Sequence, residues 1–314
     1  QTLMFSVGIN FNKRLINYSA ITVYLGMIIF FFGVLLSDVK LTSQAFVELL
    51  DYKNLLYSEN IFALLSVAGA IFTYFSIIIV SFGDFSRYVK NENELKKGNL
   101  SLIANLIIFS FFSVFIVIGS DVFLNLRFLD LSSILTNPTD IVGKFDNTSI
   151  TVIAIFFIII SSASTNLVAN FIPSQYSLIN FLPNSLNLKS ASYLILIASF
   201  FVGIFWLTVL SQIGVLSFVD TLSSFFGPLF GVMIADYYLI NSKSISNKDI
   251  YSTEAKSIYY FSKGWHIKGL YSMLIGFIFS ASSIWNPNLM FLQSFAWIIG
   301  AIISLITYYL LTKK

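Results

Sequence analysis

Eight apolar runs, each close to the roughly 20 residues an α-helix needs to cross a bilayer, recur at roughly 18–36, 61–82, 100–119, 150–171, 190–210, 214–240, 268–285 and 290–311. Runs of this length leave few folding solutions. Hydrocarbon offers no partner to backbone N–H and C=O groups, so each span must satisfy its own, and the pattern predicts an all-α polytopic membrane protein. Composition agrees: 57% of residues are hydrophobic and 11% charged, where a soluble domain carries about 25% charged residues.

Basic residues test the number of spans independently, because short cytoplasmic loops retain Lys and Arg. Of 18 such residues, one set of alternating loops holds only Lys40, Lys53, Arg127 and Lys144. The other set, from Lys13 and Arg14 to Lys313 and Lys314, holds the rest. That alternation fits eight spans in the cell membrane with both ends of the chain cytoplasmic. The net charge of +3 is thus an orientation signal, and no nucleic-acid partner is read from it. Cysteine is absent, which excludes disulfides and thiolate metal sites. The opening "QTLMFSVG" lacks the charged start and cleavage site of a signal peptide and reads as the tail of an earlier span. The expectation is a single transmembrane domain over residues 1–314, N-terminally incomplete, in which the polar segments 37–60, 129–149 and 241–268 are loops.

One run ends in "ISSASTNLVANFIPS", Ile160 to Ser174, with six hydroxyl or amide side chains between Ser161 and Asn170. At 100° per residue, Ser161, Ser164 and Thr165 share one arc, and Ser162, Asn166 and Asn170 take the next. Such a helix cannot face lipid, where unsatisfied polar groups cost several kcal/mol. On one reading these groups join helices, a common use of Ser, Thr and Asn in membranes. On the other, the oxygens of one arc coordinate a hard cation while an amide grips a polar solute.

"STNLVAN" followed by "PSQYSLINFLPNSLNLKSAS" resembles the eighth span and following loop of the nucleobase:cation symporter-1 family. "FSIIIVSFGDFSRYVK" resembles the cytoplasmic half of its sixth span, "GPLFGVMIADYYLI" its tenth, and "YYFSKGWHIKGL" its approach to the eleventh. The resemblance implies a leucine-transporter-like bundle of inverted repeats, of which the eight spans are the fifth to twelfth and the first four are missing. It implies a secondary transporter that imports a heterocycle (uracil, cytosine, a purine, allantoin or hydantoin) by cation symport, as a monomer in the lipid bilayer. The coupling ion is expected to be sodium, because no group in the candidate site titrates near neutrality, with a proton as the alternative. The resemblance assigns the Ser161 carbonyl and the Ser164 and Thr165 hydroxyls to sodium, and Asn170, with Asn166 beside it, to substrate. From the sixth span, "GAIFTYFSIII", it adds Thr73 and Phe75, the latter where the family usually has Trp. Gly69 marks either a break in this helix or a packing contact.

Asp84 and Arg87, spaced i, i+3, can pair, either as a structural ion pair and topology anchor or as part of an inner gate. Gly227, Gly231 and Ala235 form a stripe of small residues at spacing four that lets another helix approach, for packing or for gate motion. Asp236 and Asp220 are expected near the inner and outer boundaries. An enzyme is not expected: the single histidine, His266, lies in a loop, and no protease arrangement of Ser and His or of facing aspartates is recognisable. An amino-acid or other small-solute symporter on the same fold, or a sensor derived from it, is the alternative.

Overall fold

The computed structural model describes residues 9–37, 58–127, 138–144, 148–210, 215–252 and 254–313, together with residues 2, 39–40, 43–44, 47 and 212. Most of the expected loops 37–60 and 129–149, and nearly all of "QTLMFSVG", lie outside them. No β-strand occurs among the described residues, and a lone bridge joins Ser262 to Trp265. Among the described residues, eight helices are long and apolar enough to cross a membrane, and they coincide with the eight runs.

These helices fall into two compact units, one of residues 1–55 and 84–199 and the other of 56–83 and 200–314. The first unit contains α1 (Ile9–Ser37). The helix α2 (Ser58–Val80) belongs to the second. A five-residue helix, α3 (Phe82–Ser86), follows the turn at Ser81 and reaches the first unit at Asp84. The first unit continues with α4 (Glu92–Arg127), the short α5 (Pro138–Gly143), α6 (Thr148–Asn166) and α7 (Ile172–Phe181). Then α8 (Leu188–Phe205) leads into the second unit, completed by α9 (Val215–Ile234), α10 (Ile267–Trp285) and α11 (Ala296–Thr312).

Short polar side chains set the helix starts. Asn91 caps α4 by accepting the Glu94 N–H at 2.9 Å, and Asn187 and Ser190 exchange backbone and side-chain bonds of 2.9 Å each at the start of α8, satisfying amides that have no partner within the helix. In the first unit, α1 meets α6 where Gly26 faces the Phe157 ring, and meets α4 through Phe31, whose ring lies 5.4 Å from Phe112 and 5.6 Å from Phe115. Tyr24 adds a hydrogen bond of 2.8 Å to the Asn105 side chain.

The second unit is built on close approach. A Cβ at Gly227 would lie 2.3 Å from the Trp297 carbonyl oxygen, and one at Gly231 would lie 2.1 Å from that of Ala301. Gly276 and Gly300 complete the contact from α10 and α11. The bare backbones are then joined by hydroxyls: Ser280 donates to the Ala296 carbonyl at 2.6 Å, and Ser304 to that of Pro228 at 2.8 Å. Gly69 packs likewise against the Ser294 carbonyl, and α2 runs unbroken through it to Val80. Gly69 is therefore a packing residue, and the chain turns later, at Ser81.

Two expectations are corrected here. The span at 150–171 continues through Pro173 to Phe181, so the start of the expected loop is helix. Asp220 is buried and accepts a hydrogen bond of 2.7 Å from Gln293, so it is paired inside its unit and no water-facing acid.

Candidate functional site

The polar run of α6 is positioned by an irregularity in its backbone. Between Asn166 and Ile172 the helix widens into a π turn over Leu167–Phe171, closed by the Ile172 N–H on the Leu167 carbonyl five residues back. Pro173 supplies the reason. In a regular α-helix its ring would collide with the carbonyl four residues earlier, that of Ala169, and it has no N–H to donate. A wider turn relieves the collision. Leu167 and Phe171 are buried and anchor one side of the turn, while Asn166 and Asn170 are exposed on the other. The spacing assumed for Ser162, Asn166 and Asn170 on a regular helix is thus altered at the last of them, and π turns recur at functional sites.

The Asn170 amide nevertheless reaches Asn166, Nδ2 donating to Oδ1 at 2.5 Å. One turn earlier, the Ser164 hydroxyl donates to the Ser161 carbonyl at 3.0 Å. Donation uses the hydroxyl proton and leaves the Ser164 oxygen its lone pairs, so that oxygen can still face a cation, while the Ser161 carbonyl takes both this bond and the helical N–H of Thr165. The Thr165 side chain is exposed beside them. An apolar cavity of about 460 Å³ lies among α1, α4, α5 and α6, lined by Gly26, Phe30, Phe109 and Phe157 with Ser161 and Ser162 at its edge. Asn166 and Asn170 are not in its lining.

Thr73, Phe75, Gly227 and Gly231 belong to the second unit, and the other expected site residues to the first. Thr73 is buried at 2% exposure on the packed face of α2, between Gly69 and the buried Ser76, and its hydroxyl has no hydrogen-bond partner among the described residues. Phe75 is two residues on, about 200° around the helix. It is half-buried with its ring edge-on to Tyr74 at 5.3 Å. The two side chains leave α2 in opposing directions.

Asp84 and Arg87 do pair, at 2.7 Å. The Arg87 guanidinium also lies 4.1 Å from the centre of the Tyr176 ring on α7, whose hydroxyl bonds that of Tyr88. Burial, followed by the bond to Tyr176, pushes the Tyr88 phenol well above its ordinary range. Tyr176 is a residue the sequence did not single out. It links the ion pair to the helix that continues from Asn170. Gln175 beside it is fully buried and donates to Ser192 at 2.5 Å, which fixes α7 against α8.

A family model described as a permease for cytosine/purines, uracil, thiamine and allantoin matches residues 2–306. An allantoin permease of Bacillus subtilis (strain 168) is 26% identical over 258 residues, which are 82% of this chain and 51% of that protein. The purine-uracil permease NCS1 of Arabidopsis thaliana is 23% identical over 206 residues, 66% of this chain and 33% of its own. A hydantoin permease of Microbacterium maritypicum is 32% identical over 136 residues, 43% of this chain and 26% of that one. The chain spans about half the length of these relatives or less. No solved structure matches it. Its relatives are named as permeases, transport proteins and not enzymes. With the match extending over nearly the whole sequence, the chain belongs to the family of permeases for cytosine/purines, uracil, thiamine and allantoin.

Proposed function

We propose that the protein imports a nucleobase or a related cyclic amide such as allantoin or hydantoin across the cell membrane, with sodium as the coupling ion. Family membership supports the substrate class, since the relatives are named for allantoin, purines and uracil, and hydantoin. The observation that carries the reading is the pair of exposed amides at the π turn. Their mutual bond uses one donor and one acceptor. Each Asn keeps further donor and acceptor capacity, and a planar ring with adjacent N–H and C=O groups matches it. Sodium suits the Ser161, Ser164 and Thr165 oxygens, which are hard, uncharged ligands, and no residue between Thr148 and Phe181 titrates near neutrality. The bundle would be leucine-transporter-like and monomeric, with the C-terminus cytoplasmic. Asp84, Arg87 and Tyr176 would then form an inner gate at the cytoplasmic end of α7.

Asn170→Ala should weaken substrate binding by about 1–3 kcal/mol, about a thirtyfold loss of affinity at the middle of that range. The measurement is uptake of radiolabelled uracil, allantoin and hydantoin by proteoliposomes holding the whole permease. Unchanged uptake would take Asn170 out of the site, and a wild type that accepts none of the three would overturn the substrate class. Thr165→Val, close to isosteric, removes one oxygen ligand. Half-maximal uptake is expected to move to several-fold higher sodium while the substrate's own half-saturation at high sodium stays near wild type. Uptake indifferent to sodium, with choline as the replacement, and driven by an inward proton gradient would instead assign the coupling to protons.

A further inference from the structure

At one end of the second unit, three helices meet in a hydrogen-bonded chain that the transport site does not use. His266, the only histidine in the sequence, is the N-cap of α10, and its Nδ1 accepts the Gly269 N–H at 3.3 Å. Its Nε2 lies 2.8 Å from the Tyr308 hydroxyl of α11. That hydroxyl donates to Asp236 Oδ1 at 2.6 Å, and the other Asp236 oxygen accepts from Asn241 at 2.9 Å. Asp236 is held there by a π turn, Ala235–Ile240, which extends α9. The Phe261 ring covers the imidazole at 4.0 Å, nearly parallel, and its backbone adopts φ 46°, a conformation costly for an aromatic residue. Such strain persists only where its surroundings enforce it.

The direction of each proton follows from these contacts. An imidazole whose Nδ1 accepts a hydrogen bond carries its proton on Nε2. Nε2–H therefore donates to Tyr308, and Tyr308 to the Asp236 carboxylate. Both ring nitrogens are engaged. A further proton has a single place to go, the Nδ1 lone pair that caps α10. Helix cap and second proton exclude each other.

We propose that His266, Tyr308 and Asp236 form a proton-binding site that works as a latch: neutral His266 caps α10 and ties it to α9 and α11, and protonation at Nδ1 releases the cap. The groups facing the imidazole are Asp236 from the end of α9, which attracts the proton, Lys268 from α10 itself, which repels it, and Tyr308 from α11. Phe261 covers the ring from the preceding loop without charge. Burial holds the imidazole below its ordinary range, Asp236 opposing and Lys268 assisting. The unfolded chain then takes the proton first. The latch contributes fully above the unfolded value of about 6.5, and its contribution is lost as pH falls from there through the lower folded value. The adjoining segment carries Lys243, Lys248, Lys256 and Lys263, so with basic loops inside the latch senses acidification of the cytoplasm.

With ¹⁵N-histidine and ¹⁵N-glycine incorporated, the protein in nanodiscs should show the His266 imidazole, hydrogen-bonded to the Gly269 amide, in the Nε2–H form at pH 7.5. Its titration midpoint should lie below 6.5, and the Gly269 amide signal should move with that same midpoint. His266→Asn keeps a capping oxygen and cannot titrate. Its Tm should stay level with pH relative to wild type, whose Tm drops further between pH 7 and 5. An Nδ1–H form at neutral pH, a Gly269 amide that does not follow the titration, or parallel Tm curves for the two proteins would each overturn the latch. The spectra of the wild type decide the matter even if the variant fails to fold.

Discussion

The Gly231→Val chain is expected to lose the packing of its last three spans and to unfold in detergent at a clearly lower temperature. A Cβ at this position would sit 2.1 Å from the Ala301 carbonyl oxygen and 2.3 Å from the Ser304 hydroxyl. Overpacking usually costs about 1–3 kcal/mol. Here the obstacle is backbone, which cannot rotate aside, so the cost belongs at about 3 kcal/mol or more. The displaced Ser304 would also give up its bond to the Pro228 carbonyl. Gly98 on α4 is the control, since a Cβ there meets nothing within 4 Å. Gly98→Ala should stabilise by about 0.5–1 kcal/mol through helix propensity. Thermal unfolding of the purified proteins, followed by circular dichroism, measures both. Equal midpoints for Gly231→Val and wild type would show that α9 and α11 do not cross as closely as described.

Removing Ala169, together with Pro173→Ala, is expected to abolish uptake while leaving the helix in place. A π turn is an α turn with one residue too many. Deleting one residue lets the turn close as regular helix, and replacing the proline spares a clash worth about 3 kcal/mol. The flanks α6 and α7 keep their own packing, with Leu167 and Phe171 as anchors. Asn170 would then follow Asn166 at i, i+3, still a neighbouring position but without the register that sets their present bond. If neither amide then meets substrate, each being worth about 1–3 kcal/mol when left unpaired, the loss in uptake is on the order of a thousandfold at the middle of that range. Uptake in proteoliposomes, normalised to reconstituted protein of unchanged helix content, checks it. Near-normal uptake would mean that the turn has no part in presenting substrate.

The spans and the alternating charge were legible because hydropathy and loop charge are properties of single segments. Spacing four between Gly227 and Gly231 likewise announced a close crossing, since nothing beyond one helix is needed to see it. Its counterparts Gly276, Gly300 and Ser304 went unremarked, because a small residue in an apolar run is ambiguous until its partner is known. The π turn left one signal, Pro173 inside a run that stays helical, and that proline instead suggested a boundary. The pairs Asp220 with Gln293 and Asp236 with Tyr308 join positions more than 70 residues apart, where no periodicity connects them. Thr73 and Phe75 came from resemblance, and the burial of Thr73 is a tertiary fact that local sequence does not record.

The second unit is not contiguous in the chain, and this has a consequence in the order of synthesis. The partner of Gly69, the Ser294 carbonyl, is made 225 residues later. At ribosomal rates of about 5–20 residues per second, α2 waits about 10–45 s for it. Until α9 and then α11 emerge, the face that carries Gly69, Thr73 and Ser76 lacks those helices to pack against. Its hydroxyls can meanwhile bond back to carbonyls one turn earlier in their own helix, which makes serine and threonine tolerable in lipid where a carboxylate would not be. The weakly polar character of this face is thus matched to its history: α2 must be at ease in the bilayer as a newborn and buried in protein as an adult.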